Sequence, residues 1–136
     1  PVALHDSCTT RQEKKIHDSV RKLLLRLGYS VEELPHCRES TICCGNKGLL
    51  PYTHPEAAAK IAKIRIKESQ ADYVTYCVTC QHTFLSQGKN TYYLLDLFYG
   101  NKTTTSITEE SFDSSKRNEN RATLKKQLLE EVWGEK

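Results

Sequence analysis

Methionine is absent from all 136 residues of this chain. Pro1-Val2-Ala3-Leu4 reads as a strand from the first residue. Together these features lead us to expect a piece of a longer polypeptide, in preference to a chain whose start methionine was removed ahead of Pro1. No apolar run approaches the ~20 residues that a membrane-crossing helix needs. No basic segment followed by an apolar one opens the chain as an export signal would. Neither a membrane span of its own nor secretion is therefore expected. Charge is also scarce: the net value of +3 is too small to argue for a nucleic-acid partner. Lys and Arg outnumber Asp and Glu by 13 to 10 over residues 1–100 and match them 7 to 7 over residues 101–136. What remains is ordinary for a soluble globular protein, with 38% hydrophobic and 27% charged residues. The length is enough for one domain with a hydrophobic core.

Apolar and polar segments alternate along the chain. Residues 2–5 read as a buried strand, and Asp6 to Thr10 offer N-caps for a helix that carries Ile16, Val20, Leu23, Leu24 and Leu27 at helical spacing and stops at Gly28. Residues 31–34 read as a second strand, at a sheet edge. Residues 35–51 read as a loop. Pro55 suits the first position of a helix with Ala57, Ala58, Ile61, Ala62, Ile64 and Ile66. Residues 73–76 form a third expected strand, 81–87 a short helix, 91–95 a fourth strand, and 96–99 a helical turn. This alternation predicts an α/β fold, a mainly parallel sheet of about four strands with flanking helices joined by right-handed crossovers. The composition changes after Gly100. Residues 101–118 read as a flexible linker, and residues 119–133 as an amphipathic helix with Leu124, Leu128, Val132 and Trp133 on one face, which either docks on its own domain or meets a partner subunit. The expected domains are thus 1–100 and 101–136. Asn101-Lys102-Thr103 matches a glycosylation acceptor, which we read as chance.

Five of the six cysteines fall into a pattern: Cys8, then Cys43-Cys44-Gly45, then Cys77-Val78-Thr79-Cys80. Each group follows a predicted strand, at the carboxyl ends where open α/β sheets place their ligands. A disulfide framework is disfavoured, because the chain has an apolar core and no export signal, and adjacent cysteines pair poorly with each other. A dithiol at Cys77 and Cys80, activated by a helix N-terminus, would use two cysteines and leave three idle. Structural zinc would take any four of the five and leave one surplus. An iron–sulfur cluster has several irons to coordinate and uses thiolates of this kind. Peptide N–H groups of the Gly45–Gly48 turn and of helix N-termini are expected to offset the thiolate charge.

These residues resemble the cysteine-rich, or CCG, domain found in the heterodisulfide reductase B subunit and in iron–sulfur subunits of glycolate oxidase, lactate utilisation and anaerobic glycerol-3-phosphate dehydrogenase systems. The resemblance covers residues 2 to about 99. His5-Asp6-Ser7-Cys8 is similar to the family's opening segment, with Ser7 where proline is common. Gly45-Asn46-Lys47-Gly48 is less glycine-rich than is typical, and the Cys44 to Cys77 spacing is shorter than usual.

The resemblance implies a 4Fe–4S cluster, of a non-cubane type in the best-understood members, held by Cys8, Cys43, Cys44, Cys77 and Cys80. It implies electron transfer between a flavin or iron–sulfur partner and a disulfide or quinone-type acceptor, within a heterodisulfide-reductase-like or respiratory dehydrogenase subunit. Zinc, held in a structural or docking module without redox activity, is the alternative, and some family members are reported to hold it. The domain usually occurs in tandem, which suits a fragment. The partners so implied are other domains or subunits of a redox complex, a flavoprotein among them. The expected location is the cytoplasm, at the inner membrane face where partner subunits anchor there.

Outside the motif, Cys37 is read as a partly buried loop thiol. His5 and His82 lie nearest the motif cysteines, as donors to a cluster sulfur, as zinc ligands, or as hydrogen-bonded residues of the fold, the last being the commoner case. His17, His36 and His54 carry no signal. Tyr73, Tyr76, Tyr92 and Tyr93 are read as packing, and Arg11 and Lys47 as the cations closest to the cysteines.

Overall fold

The computed structural model describes residues 1–100 and 114–134. The chain divides into two units, residues 1–104 and 105–136. In the first, strands β1 (Val2–His5), β2 (Val31–Glu33), β3 (Tyr73–Thr75) and β4 (Thr91–Tyr93) form one sheet in the order β2-β1-β3-β4. All three pairings are parallel, with Ala3 opposite both Glu32 and Tyr73. Helices α1 (Lys14–Arg26), α2 (Leu50–Thr53), α3 (Pro55–Ile66), α4 (Val78–Ser86) and α5 (Leu94–Phe98) connect and follow the strands. The alternation of elements in the sequence thus gives the α/β class and the parallel sheet it predicts.

Side-chain alternation along β1 divides the core into two layers. Val2 and Leu4 join Val20 and Leu24 of α1, Val74, and Leu94 and Leu97 of α5 on one face. Ala3 lies on the other with Tyr73, Leu34, Phe84 of α4, Cys44 and Cys80. All four β1 residues are buried, as a central parallel strand covered on both faces requires. β2 closes one edge, where exposed Glu32 and Glu33 discourage further strand pairing. α1 ends at Gly28, whose φ of +86° is the left-handed conformation that glycine adopts without penalty. Gly28 N–H reaches the Leu25 carbonyl and Tyr29 N–H the Leu24 carbonyl, the paired bonds of a Schellman stop.

Three element boundaries differ from the sequence expectation. α2 begins in the last two residues of the stretch read as loop and runs on to Thr53, a helix the sequence reading did not expect. α4 begins at Val78, inside the C-x-x-C, rather than at Gln81. Leu94 and Leu95, read as strand, belong to α5, because Leu94 and Leu97 reach the same apolar layer at helical spacing. In the second unit, α6 (Ser114–Glu131) starts within the segment read as linker, and Leu124, Leu128, Val132 and Trp133 are exposed. Linker residues 101–113 lie outside the described residues. Among the described residues no helix is long and apolar enough to cross a membrane.

The strand order matters for the site. From β1 the chain moves outward to β2, then returns past β1 to add β3 and β4 on the other side. The order therefore reverses between β1 and β3, and the crevice above this switch point is where doubly wound sheets take their ligands.

Candidate functional site

The three cysteine-bearing segments meet above this reversal. β1 delivers Asp6-Ser7-Cys8, with Cys8 opening a single 3-10 turn, Cys8–Thr10. The long connection after β2 delivers Thr41 to Gly45. β3 delivers Tyr76 and Cys77, and Cys77 is the residue that caps α4, leaving Cys80 in its first turn. All six cysteines are free thiols. Cys8 Sγ and Cys43 Sγ lie 4.0 Å apart. The Cys80 thiol lies beside those of Cys44 and Cys77 and interacts with both. Cys44 and Cys80 are buried, and the other three motif cysteines are half-buried. The five residues singled out in the sequence are thus neighbours, while Cys37 stands apart beside Glu33.

Backbone and hydroxyl donors converge on these sulfurs. Gly45 N–H points to Cys43 Sγ at 3.3 Å. Cys44 is drawn below the usual thiol range, first by its hydrogen bond with Cys80 and against its burial, with help from Asn46 N–H and the Thr83 hydroxyl. Cys77 is lowered to about 5 by its hydrogen bond with Cys80, and by the N–H groups of Cys80 and Thr79 at the start of α4. Cys80, the shared donor, is held firmly protonated by the same two bonds and by burial. Cys8 is raised by burial and by Cys43, and Lys47 partly offsets this. The expected peptide N–H donors are present: one reaches Cys43, and others favour the thiolates of Cys44 and Cys77.

Gly45 has a structural reason of its own. Its φ is +97°, and a Cβ placed there would lie 2.4 Å from the Ala58 carbonyl oxygen of α3. Only glycine lets the CCG turn bring Cys43 and Cys44 this close to the helix.

A buried polar hub ties the three segments together. Asp6 is fully buried; its carboxylate accepts from Arg21 Nη1 at 3.1 Å and Nη2 at 2.8 Å, from Arg38 N–H at 2.7 Å and from the Tyr76 hydroxyl at 3.2 Å. Its carbonyl accepts from Thr41 Oγ1 at 2.8 Å. Arg21 also donates to Glu33, at 2.5 Å from Nε and 2.6 Å from Nη2. Burial weighs against the charged Asp6, but Arg21 and the Arg38 N–H outweigh it and hold the carboxyl below its usual range. Arg38 adopts φ +54°, a left-handed conformation unusual for a residue with a side chain, in delivering that N–H. Tyr76 also shares a 2.8 Å hydrogen bond with Thr10.

None of this is legible as a motif. Tyr76, which the sequence pattern marks as packing, does pack against the first core layer, and its hydroxyl belongs to the hub. The one sequence signal for Asp6 is a carboxylate placed directly after a short, largely apolar strand and two residues before a cysteine. Arg11 binds the Thr41 carbonyl at 2.9 Å. His5 is buried against Phe84, and its Nδ1 accepts from Arg65 Nε at 2.9 Å, so it resolves as a histidine hydrogen-bonded within the fold. Burial and Arg65 lower its pKa to about 3. His82 lies half-buried on α4. His17, silent in the sequence, is fully buried on α1.

The donor set fits a thiolate-ligated metal group: five neighbouring sulfurs, two drawn toward thiolate, with N–H donors aimed at three. Among the described residues, no three His, Cys, Asp or Glu side chains are set at the spacing of a one-ion site.

A parallel α/β sheet with a set of thiols gathered at its switch point defines the class as a cysteine-rich α/β domain. The chain matches the CCG family, described as a cysteine-rich domain, over residues 2–85, and it belongs to that family. It is 30% identical over 92 residues to the glycolate oxidase iron-sulfur subunit of Escherichia coli (strain K12), a match that covers 65% of this chain and 22% of that protein. The chain therefore spans about a fifth of the relative's length. No solved structure matches it.

Proposed function

We propose that residues 1–100 form an iron–sulfur-binding domain of an oxidoreductase subunit, with Cys8, Cys43, Cys44, Cys77 and Cys80 as the cluster ligands. The gathering of all five motif thiols beyond the carboxyl ends of the strands carries this reading, and the relative's description as an iron-sulfur subunit supports it. Soft thiolates suit iron and sulfide, and five of them exceed what one tetrahedral ion accepts. A 4Fe–4S cluster, in the non-cubane form the family implies, would supply one-electron redox chemistry there.

The chain's own groups would set the conditions for it. Cys44 and Cys77 lose their protons most readily on metal binding, and the Gly45, Asn46, Thr79 and Cys80 N–H groups hold sulfur charge in place. The electron route we propose runs between a flavoprotein or iron–sulfur partner and a disulfide or quinone-type acceptor. The complex would be cytoplasmic, held at the inner membrane face by its other subunits.

The test is iron, acid-labile sulfide and zinc per chain, with a visible spectrum, on protein purified without oxygen. Near-equal iron and sulfide with broad brown absorption is the expected result. Stoichiometric zinc in a colourless protein, persisting through anaerobic reconstitution with iron and sulfide, would overturn the reading.

A further inference from the structure

We infer that Asp6 is a positioning residue of the cysteine site, the group that is bonded to all three ligand-bearing segments and sets where they stand relative to one another. It lies two residues before Cys8 and so moves with the first segment. Its carbonyl receives the Thr41 hydroxyl, two residues before Cys43, at 2.8 Å. Its carboxylate receives the Tyr76 hydroxyl, one residue before Cys77, at 3.2 Å. The same carboxylate receives the Arg38 N–H at 2.7 Å, which anchors the connection leading from β2 to the Cys43-Cys44 pair. No backbone pairing does this job: the sheet ends at His5, Glu33 and Thr75, before any motif cysteine. Beyond the strands, Arg11 ties the first segment to the second and Thr10 ties the first to the third, but the side chain that reaches all three is a fully buried carboxylate held on both oxygens by Arg21. The arrangement is complete in protein atoms alone, so it predicts a site assembled before any metal arrives.

The experiment uses the reduced, metal-free full chain and reads geometry directly. Diamide withdraws two electrons and two protons from a neighbouring thiol pair and leaves one disulfide. The Cys8–Cys43 pair, with its sulfurs 4.0 Å apart across two segments, reports their separation. The Cys77–Cys80 pair rides on one segment and serves as internal control. In Asp6→Asn, the amide N–H₂ would face Arg21 in either orientation, together with the Tyr76 hydroxyl in one and the Arg38 N–H in the other, donor against donor. Cys8–Cys43 bond formation should slow about tenfold or more, in line with the sensitivity of proximity effects to displacements of an ångström. Cys77–Cys80 formation should keep its wild-type rate. An unchanged Cys8–Cys43 rate would overturn the inference.

Should Asp6→Asn fail to fold, Thr41→Val removes one tether and is read the same way. Slower Cys8–Cys43 linking with an unchanged control supports the inference, and unchanged linking sinks it. A second readout rests on the iron–sulfur reading: after anaerobic reconstitution, folded Asp6→Asn should show reduced iron uptake and an altered electron paramagnetic resonance signal. If the wild-type chain takes up no cluster, that reading fails, while the metal-free cross-linking rates still decide the role of Asp6.

Discussion

Individual side chains here are constrained by backbone conformation and burial, and three predictions belong at this scale. Gly45→Ala combines a positive φ with a Cβ driven into a helix carbonyl. It should cost about 2 kcal/mol or more, read as a lowered urea midpoint, because neither the turn nor α3 can yield cheaply. Cys43→Ser and Cys44→Ser each replace a soft thiolate with a hard, weakly acidic hydroxyl. Both should lower iron content in anaerobically purified protein, and full iron with an unaltered spectrum in either would remove that residue from the ligand set. His5 gives a pH dependence. Its folded pKa is about 3 against 6.5 in the open chain, so the unfolded state binds the extra proton between those values. Stability is then complete above pH 6.5 and lost as pH falls toward 3, at up to roughly 1.4 kcal/mol per unit of pH. The urea midpoint should fall across pH 6 to 4, and His5→Phe should flatten that slope. An equally steep slope in the variant would assign the protons elsewhere.

At the scale of elements, each helix is held by the layer it covers. α1 places Val20 and Leu24 against β1, and its stop at Gly28 aims the chain into β2. Leu24 is fully buried in this layer. Leu24→Ala should cost about 2–5 kcal/mol by lost burial and the cavity left behind, measurable as a shift in denaturant midpoint. The motif cysteines and the Asp6 carboxylate keep all their direct partners in that variant, so its thiol cross-linking pattern should match wild type under folding conditions. α4 shows how a boundary carries chemistry. Because it starts at Val78 rather than Gln81, Cys80 is set beside Cys77 in the first turn and lowers its pKa to about 5, with the first-turn N–H groups of Cys80 and Thr79 adding to the effect. The periodicity of nine residues cannot fix that starting point; a cap and its tertiary surroundings do.

At the scale of the whole molecule, every buried core residue among the described residues lies within residues 2–97, together with all motif cysteines. A chain ending at Gly100 should therefore fold, give a cooperative urea transition and show the same thiol reactivity. A truncated chain that fails to fold would give residues 101–136 a structural part in the domain.

The sequence alone was enough for the α/β class and the alternation of its four strands with the longer helices, because apolar periodicity and turn residues are local signals; the single turn of α2 escaped it. It also marked the five cysteines, because soft ligands spaced in this way after successive strands can converge on one centre, and their type and spacing carried the family resemblance. Strand order, and with it the switch point above which Cys8, Cys43, Cys44, Cys77 and Cys80 meet, was decided only in three dimensions, since parallel pairing joins residues far apart in the chain. The Asp6 hub was decided there as well. A lone aspartate, an arginine on a helix, a loop threonine and a strand-end tyrosine carry no periodicity, and only burial at one point makes their hydrogen bonds obligatory.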